Sequence, residues 1–244
     1  PVNMTEKTTH FIMRKFHNLI SRSAPWLLLW VVAGLMVPNV ALCVTEQGCG
    51  WGKGANVLLP LGVYMLLFGL SRKTGRTALL MIPFMFFAAF ELVLLNLYGE
   101  SVIAVDMFLN VATTSYSEAT ELLSSLVGAM AQVVVIYLTA IVWGVLAVRD
   151  KARLPSAWAL RSRRLGILLG CAGLVCAGLG ALLCKRYSFE HETFPVNAVS
   201  NLVEAFDRAR ESKAYPETSA GFSYGARSTR PAEEPEVYVM VVGE

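Results

Sequence analysis

Long apolar runs dominate this sequence and decide what it can fold into. A helix needs roughly 20 residues to cross about 30 Å of hydrocarbon, and five apolar runs are close to that length. Because lipid offers no partner to an unpaired backbone N–H or C=O, such runs must be helical. The sequence therefore predicts an all-α membrane protein, a five-helix transmembrane bundle. Its spans are predicted at residues 25–44, 55–70, 77–98, 122–148 and 165–184.

The composition agrees with a membrane protein. Hydrophobic residues make up 55% of the chain and charged residues only 16%, whereas a soluble domain carries about 25% charged residues. The formal net charge of +3 is too small to indicate a nucleic-acid partner.

Lysine and arginine are distributed unevenly among the connecting segments. The N-terminal arm holds 4, the loop at 71–76 holds 3 and the loop at 149–164 holds 6, while the other two loops, 45–54 and 99–121, share only Lys53. Basic loops stay on the cytoplasmic side. The N-terminus is therefore predicted to be cytoplasmic, and five spans place the C-terminus outside.

The segments outside the apolar runs predict further elements. Residues 1–24 have the pattern of a basic surface helix. An amphipathic helix is predicted over 198–213 at the outer interface, followed by a linker rich in Gly, Ser, Ala and Pro over 214–235.

The last segment, 236–244, is a β-branched and apolar run typical of a buried parallel strand. One strand has no partner here, so it is predicted to be the first strand of a missing α/β catalytic domain. The predicted division is a transmembrane domain (1–185), an interfacial helix and linker (186–235) and this strand (236–244).

The outer loop at 106–123 holds the most informative polar residues. Asn110, Thr114 and Glu118 are four residues apart and would share one face of a continuous helix. The carboxylate could pair with an ammonium while the amide and hydroxyl bond phosphate or ester oxygens. Alternatively, Ser115 and Glu118 fit the S-x-x-E capping box that starts a helix. Both interpretations stay open, and they are compatible.

Other residues also have two interpretations. Glu91, inside the third run, predicts a functional site by default, but its place toward the outer end also allows it to reach the interface or to pair with a neighbouring helix. Glu244, at the end of the predicted strand, suits a metal ligand, or it is an ordinary polar residue opening a loop.

The cysteines and glycines predict packing and crosslinking. Cys43 and Cys49 flank the first outer loop, where the sequence leaves open both a disulfide between them, if the compartment is oxidising, and free thiols. Cys171, Cys176 and Cys184 are predicted to be small packing residues of the fifth span. The glycines of that span permit close helix packing.

Taken together, these segments resemble the bacterial phosphoethanolamine transferases of the alkaline-phosphatase/sulfatase superfamily. The resemblance covers the whole chain in architecture. Its specific parts are the loop Phe-Leu-Asn-Val-Ala-Thr-Thr-Ser-Tyr-Ser-Glu-Ala-Thr-Glu-Leu-Leu and the terminal Val-Val-Gly-Glu, with Phe-Pro-Val-Asn at 194–197 a weaker match. It implies a bacterial inner-membrane enzyme with five spans and a periplasmic catalytic domain that depends on zinc.

By that resemblance, Asn110, Thr114 and Glu118 contact the phosphoethanolamine group, and Glu244 is the first zinc ligand. The nucleophilic threonine and the other zinc ligands would lie downstream, so the chain alone is expected to be inactive. The implied partners are the donor phosphatidylethanolamine and a lipid A or lipopolysaccharide acceptor.

Two other classes stay open. One is a glycerol-phosphate transferase of the lipoteichoic acid synthase type, whose donor lacks an ammonium to pair with Glu118. The other is a non-catalytic membrane scaffold or a small transporter, for which Glu91 is the best support.

Overall fold

The computed structural model describes residues 22–45, 48–98 and 126–218, with Gly221 and Gly225. The predicted surface helix of the N-terminal arm, the loop carrying Asn110, Thr114 and Glu118, and the predicted strand ending at Glu244 lie outside the described residues. The described part is helical, without strands. Its elements are α1 (Ala24–Thr45), α2 (Gly50–Leu70), α3 (Thr74–Leu80), α4 (Ile82–Tyr98), α5 (Val127–Val133), a π-helical turn (Val134–Leu138), α6 (Thr139–Arg149), α7 (Ser156–Leu183), α8 (Phe189–Glu192) and α9 (Val196–Thr218).

The described helices are apolar on the outside and bury polar side chains. Leu182 is 82% exposed and Trp26 67%, whereas Asn39 and Glu91 are at most 1% exposed. An exterior of this kind is suited to lipid. Four stretches are long and apolar enough to cross a membrane, namely α1, α2, α5 to α6 and α7, and the pair α3 and α4 makes a fifth if it is counted as one span. This confirms the prediction of an all-α protein with membrane-spanning helices for the described part.

The third apolar run, predicted as one span over 77–98, is a bent pair of helices. The axes of α3 and α4 differ by 53°. Pro83 lies at the break, and proline has no N–H and its ring clashes with the carbonyl four residues earlier. The Met81 N–H donates to the Ala78 carbonyl at 3.1 Å, which tightens the last turn before the bend.

The fourth span contains a π-helical turn that bonds to α1. The Trp30 indole Nε1 donates to the Ile136 carbonyl at 3.1 Å, and the Tyr137 hydroxyl donates to the Gly34 carbonyl at 3.0 Å. A π turn shifts the hydrogen-bond register of a helix, which leaves carbonyls for outside donors. These bonds fix the fourth span to the first in the middle of the bundle.

Glycines bring α2 and α7 into backbone contact, and this is the most extensively packed helix pair. A Cβ added at Gly62 would lie 2.4 Å from the Gly170 nitrogen, one at Gly166 2.6 Å from the Leu66 nitrogen, and one at Gly173 2.6 Å from the Leu59 nitrogen. The prediction that span-five glycines permit close packing is confirmed at Gly166 and Gly173.

Several boundaries differ from prediction. The second span begins at Gly50 rather than near residue 55, because the Cys49 sulfur accepts from the Gly52 N–H and caps the helix. The helix of the fifth span, α7, begins at Ser156, nine residues before the predicted apolar run. The last helix, α9, continues to Thr218, into the predicted linker. The chain divides into compact units at 1–206 and 207–244; the described part of the second is the end of α9, Gly221 and Gly225.

We expect Gly166→Ala to destabilise the bundle by about 1–3 kcal/mol, because the new methyl group overlaps backbone atoms of α2. Gly178→Ala is the matched control, since a Cβ at Gly178 meets no heavy atom within 4 Å. Thermal unfolding in detergent should separate the two variants. Equal midpoints would contradict the packing described here.

Candidate functional site: a groove at the disulfide end of the bundle

A disulfide joins the start of α2 to the end of α7. It links Cys49 to Cys184, with the Cα atoms 6.5 Å apart, a separation typical of disulfides. Of the two alternatives that the sequence left open, Cys43 and Cys49 therefore do not pair with each other, and the packing role predicted for Cys184 is wrong. The reason is the direction of α7, which runs antiparallel along α2 and brings its end to the start of that helix. Cys43 instead faces α2, with its sulfur 3.6 Å from the Lys53 carbonyl.

The segment after the disulfide folds back onto α2. The Tyr187 ring lies between two glycines: a Cβ at Gly52 would be 2.7 Å from the ring, and a Cβ at Gly180 would be 2.9 Å from it. Burial raises the pKa of the Tyr187 phenol. The Glu192 carboxylate accepts from the Ser188 N–H at 3.3 Å and closes a short turn. These contacts place the next residues against the membrane helices.

Two buried asparagines hold the backbone of Phe194. The Asn56 Oδ1 accepts from the Phe194 N–H at 3.1 Å, and the Asn39 Nδ2 donates to the Phe194 carbonyl at 2.8 Å. Each asparagine side chain also bonds to the backbone of the other. The Asn39 side-chain amide donates to the backbone carbonyl of Asn56 at 2.8 Å, and the Asn56 side-chain amide donates to the backbone carbonyl of Asn39 at 2.9 Å. We call Asn39, Asn56 and Phe194 the amide node. It ties α1, α2 and the segment before α9 together.

An apolar groove lies beside the amide node. It has a volume of about 190 Å³. Its walls come from α2, from one residue of α4 and from the segment that the amide node holds in place. The lining residues are Leu59, Pro60, Val63, Tyr64, Leu67, Phe84 and Thr193–Val196.

The groove is apolar but contains two hydroxyl groups. Both the Tyr64 and the Thr193 hydroxyls are buried. The Tyr64 hydroxyl has no hydrogen-bond partner among the residues that the structure describes, and the Thr193 hydroxyl lies beside the Tyr187 phenol. The Tyr64 and Phe84 rings meet edge to face with centroids 6.3 Å apart. Val63 is 43% exposed, so the groove opens on the outer, lipid-suited surface of the bundle. Its chemistry suits an apolar chain that carries a hydrogen-bonding group.

Glu91 lies inside the bundle. Its side chain is 1% exposed, and within the described ranges neither carboxylate oxygen has a hydrogen-bond partner. Its side chain is therefore enclosed by the bundle and not exposed on the described surface. Tyr64 and Tyr137 are buried polar side chains as well, and Tyr64 also lines the groove.

The structure brings together residues that the sequence interpretation missed. Asn39 and Asn56 lie within or beside apolar runs, where a polar side chain is a signal of an interhelical contact, but their common partner Phe194 lies more than 130 residues away. The predicted binding residues Asn110, Thr114 and Glu118, and the predicted metal ligand Glu244, are outside the described residues. Within the described part, no three His, Cys, Asp or Glu residues are grouped to hold a metal.

Comparison with protein-family models, with curated proteins and with solved structures found no match. The resemblance to phosphoethanolamine transferases therefore stays a prediction from the sequence.

We expect Asn56→Ala to destabilise the protein by about 1–3 kcal/mol, because it leaves the buried Phe194 N–H without an acceptor. Asn96→Ala is the control, since among the described residues the Asn96 amide bonds to the Leu92 carbonyl of its own helix rather than to another element. Thermal unfolding in detergent measures both. If Asn56→Ala were as stable as the Asn96 variant, the amide node would not hold the segment.

Proposed function

We propose that this chain is the donor-binding membrane domain of a transferase that moves phosphoethanolamine from phosphatidylethanolamine to lipid A or another lipopolysaccharide or glycan acceptor. The observation that carries the proposal is the apolar groove beside the amide node. In the proposed orientation, the protein lies in a bacterial inner membrane with its N-terminus cytoplasmic. The groove then opens toward the lipid along α2, between Thr193–Val196 and Leu67, which lies near the cytoplasmic end of that helix.

The groove supports binding of a phospholipid rather than of a water-soluble substrate. Its walls are aliphatic and aromatic, so they offer packing contacts to an acyl chain and few polar partners to a water-soluble substrate. The Thr193 hydroxyl is contributed by the segment outside the fifth span, whereas Tyr64 lies within α2. An acyl chain along α2, with an ester oxygen near the Thr193 hydroxyl, would suit both the apolar walls and the buried polar group beside them.

The loop at 106–123 supports recognition of the head group. A carboxylate at Glu118 would pair with the ammonium of ethanolamine, and Asn110 and Thr114 would bond phosphate oxygens. Phosphatidylglycerol has no ammonium, so the same carboxylate favours phosphoethanolamine over glycerol phosphate.

The chemistry would take place in a longer protein. By the resemblance, a threonine oxygen of the catalytic domain attacks the phosphorus of the donor, and diacylglycerol leaves with the proton. An acceptor hydroxyl then attacks the phosphothreonine and releases the threonine. Zinc, with Glu244 as its first ligand, would activate that threonine. The described residues supply no metal site, and their proposed part is to hold the donor lipid near the catalytic domain.

We expect Glu118→Gln in the longer protein to reduce transfer by about tenfold or more, the cost of losing a charged hydrogen bond. Glutamine still serves in a capping box, so the variant should insert into the membrane and unfold like the unaltered protein. Mass spectrometry of surface glycolipids from expressing cells measures the product. Unchanged transfer would leave Glu118 with the capping role alone.

The same spectra distinguish the classes of function. Phosphoethanolamine and glycerol phosphate add different masses to the acceptor. Addition of glycerol phosphate would indicate the alternative transferase. No added group from an intact, membrane-inserted longer protein would indicate a scaffold or a transporter, in which the buried Glu91 would be the first residue to test.

A further inference from the structure

A second pocket lies at the other end of the bundle, where the basic loops meet. It has a volume of about 220 Å³ and lies between the start of α3 and the end of α6. Four of its eight lining residues are cationic, and none is acidic. They are Lys73, Arg76, Lys151 and Arg153, which with Gly75, Ala147, Val148 and Ala152 form what we call the basic pocket. Asp150, the one acidic residue in the loop after α6, is not part of the lining.

The two loops that form the pocket are tied to each other. The Leu154 N–H donates to the Arg72 carbonyl at 2.8 Å, and the Arg72 Nε donates to the Leu154 carbonyl at 3.2 Å. Below them, Gly75 packs on α6 so closely that a Cβ there would lie 2.6 Å from the Val148 nitrogen. The cations therefore project from a fixed frame rather than from two independent loops.

Lys151 adopts a backbone conformation that lysine rarely takes. Its φ is 52°, in the left-handed region where glycine is usual. The Lys151 N–H donates to the Val148 carbonyl and the Ala152 N–H to the Ala147 carbonyl, the Schellman arrangement that ends a helix. Glycine would suit this cap better. A lysine kept at such a position carries a backbone cost and places its charge in the pocket, which indicates a role beyond ending the helix.

Membrane proteins often keep Lys and Arg in such loops for orientation alone, but orientation requires neither a concave pocket nor a left-handed lysine. We propose that the basic pocket binds the phosphate of an anionic phospholipid from the adjacent leaflet. This inference does not depend on the proposed transfer reaction. The shared chemistry, a phosphate ester, also occurs in soluble metabolites.

The pocket's surroundings favour a lipid as the source of that phosphate. A neighbouring recess shares Lys73 and Arg153 with the basic pocket and is also lined by Leu70. Leu70 is 62% exposed, and Leu80, at the end of α3, is 66% exposed. A phosphate held by the shared cations would have an apolar surface beside it for the acyl chains. A soluble phosphate ester has no group to cover that surface.

The test uses the full 244-residue chain in detergent, with native mass spectrometry to count bound lipids. Phosphatidylglycerol is the anionic probe, phosphatidylcholine the zwitterionic one, and glycerol 3-phosphate the soluble competitor. We expect phosphatidylglycerol to be retained preferentially and to resist competition. Lys151→Gly and Arg153→Gln should each weaken its binding by about fivefold, the effect of one cation near an anionic surface.

Two controls separate the pocket from general charge and from stability. Arg164→Gln removes an exposed cation at the same end of the bundle but outside the lining, and it should leave binding unchanged. Lys151→Gly should unfold at the same temperature or higher, because glycine accepts the left-handed conformation. Equal weakening by Arg164→Gln, full binding by Lys151→Gly, or displacement by glycerol 3-phosphate would each overturn the proposal.

Discussion

A buried peptide group outside regular structure needs hydrogen-bond partners, because an unsatisfied one costs about 1–3 kcal/mol. The backbone N–H and the backbone carbonyl of Phe194 both bond to side chains rather than to other backbone groups. Asn56 accepts from its N–H and Asn39 donates to its carbonyl, and the same amides bond α1 to α2. Within the described residues, this node supplies the hydrogen bonds that hold Phe194 against α1 and α2. The apolar groove depends on that placement, since these residues form one of its walls.

The disulfide and the glycines also help to place the segment at residues 193–196, although they lie further from it along the chain. Close packing through Gly62 and Gly166 sets the direction of α7, which then delivers Cys184 to Cys49. The crosslink closes a loop with a sequence separation of 135 residues, and long loops gain most from closure in the chain-entropy view. The segment that follows can therefore turn back over the helix ends. The disulfide and the segment that follows it lie at one end of the bundle, and the basic pocket lies at the other.

The sequence predicted the membrane helices well, because apolar length is a local property. It also placed close packing in the fifth span, where Gly166 and Gly173 meet the backbone of α2. It failed wherever the partner lies far along the chain. Cys43 is nearer to Cys49 in sequence than Cys184 is, yet the antiparallel course of α7 decides the pairing. The amide node needs Phe194, and no local pattern predicted that Lys151 would adopt the left-handed conformation usual for glycine. The predicted head-group residues remain predictions.

The central claim is that the groove beside the amide node holds a phospholipid. A photoreactive benzoylphenylalanine at position 63, within the groove wall, tests it directly in native membranes. Position 145 on α6 is the reference, because Val145 is 50% exposed, Val63 is 43% exposed, and only Val63 lines the groove. The account predicts that position 63 crosslinks phosphatidylethanolamine above its share of the bulk lipid, while position 145 matches the bulk. The same lipid composition at both positions would contradict it.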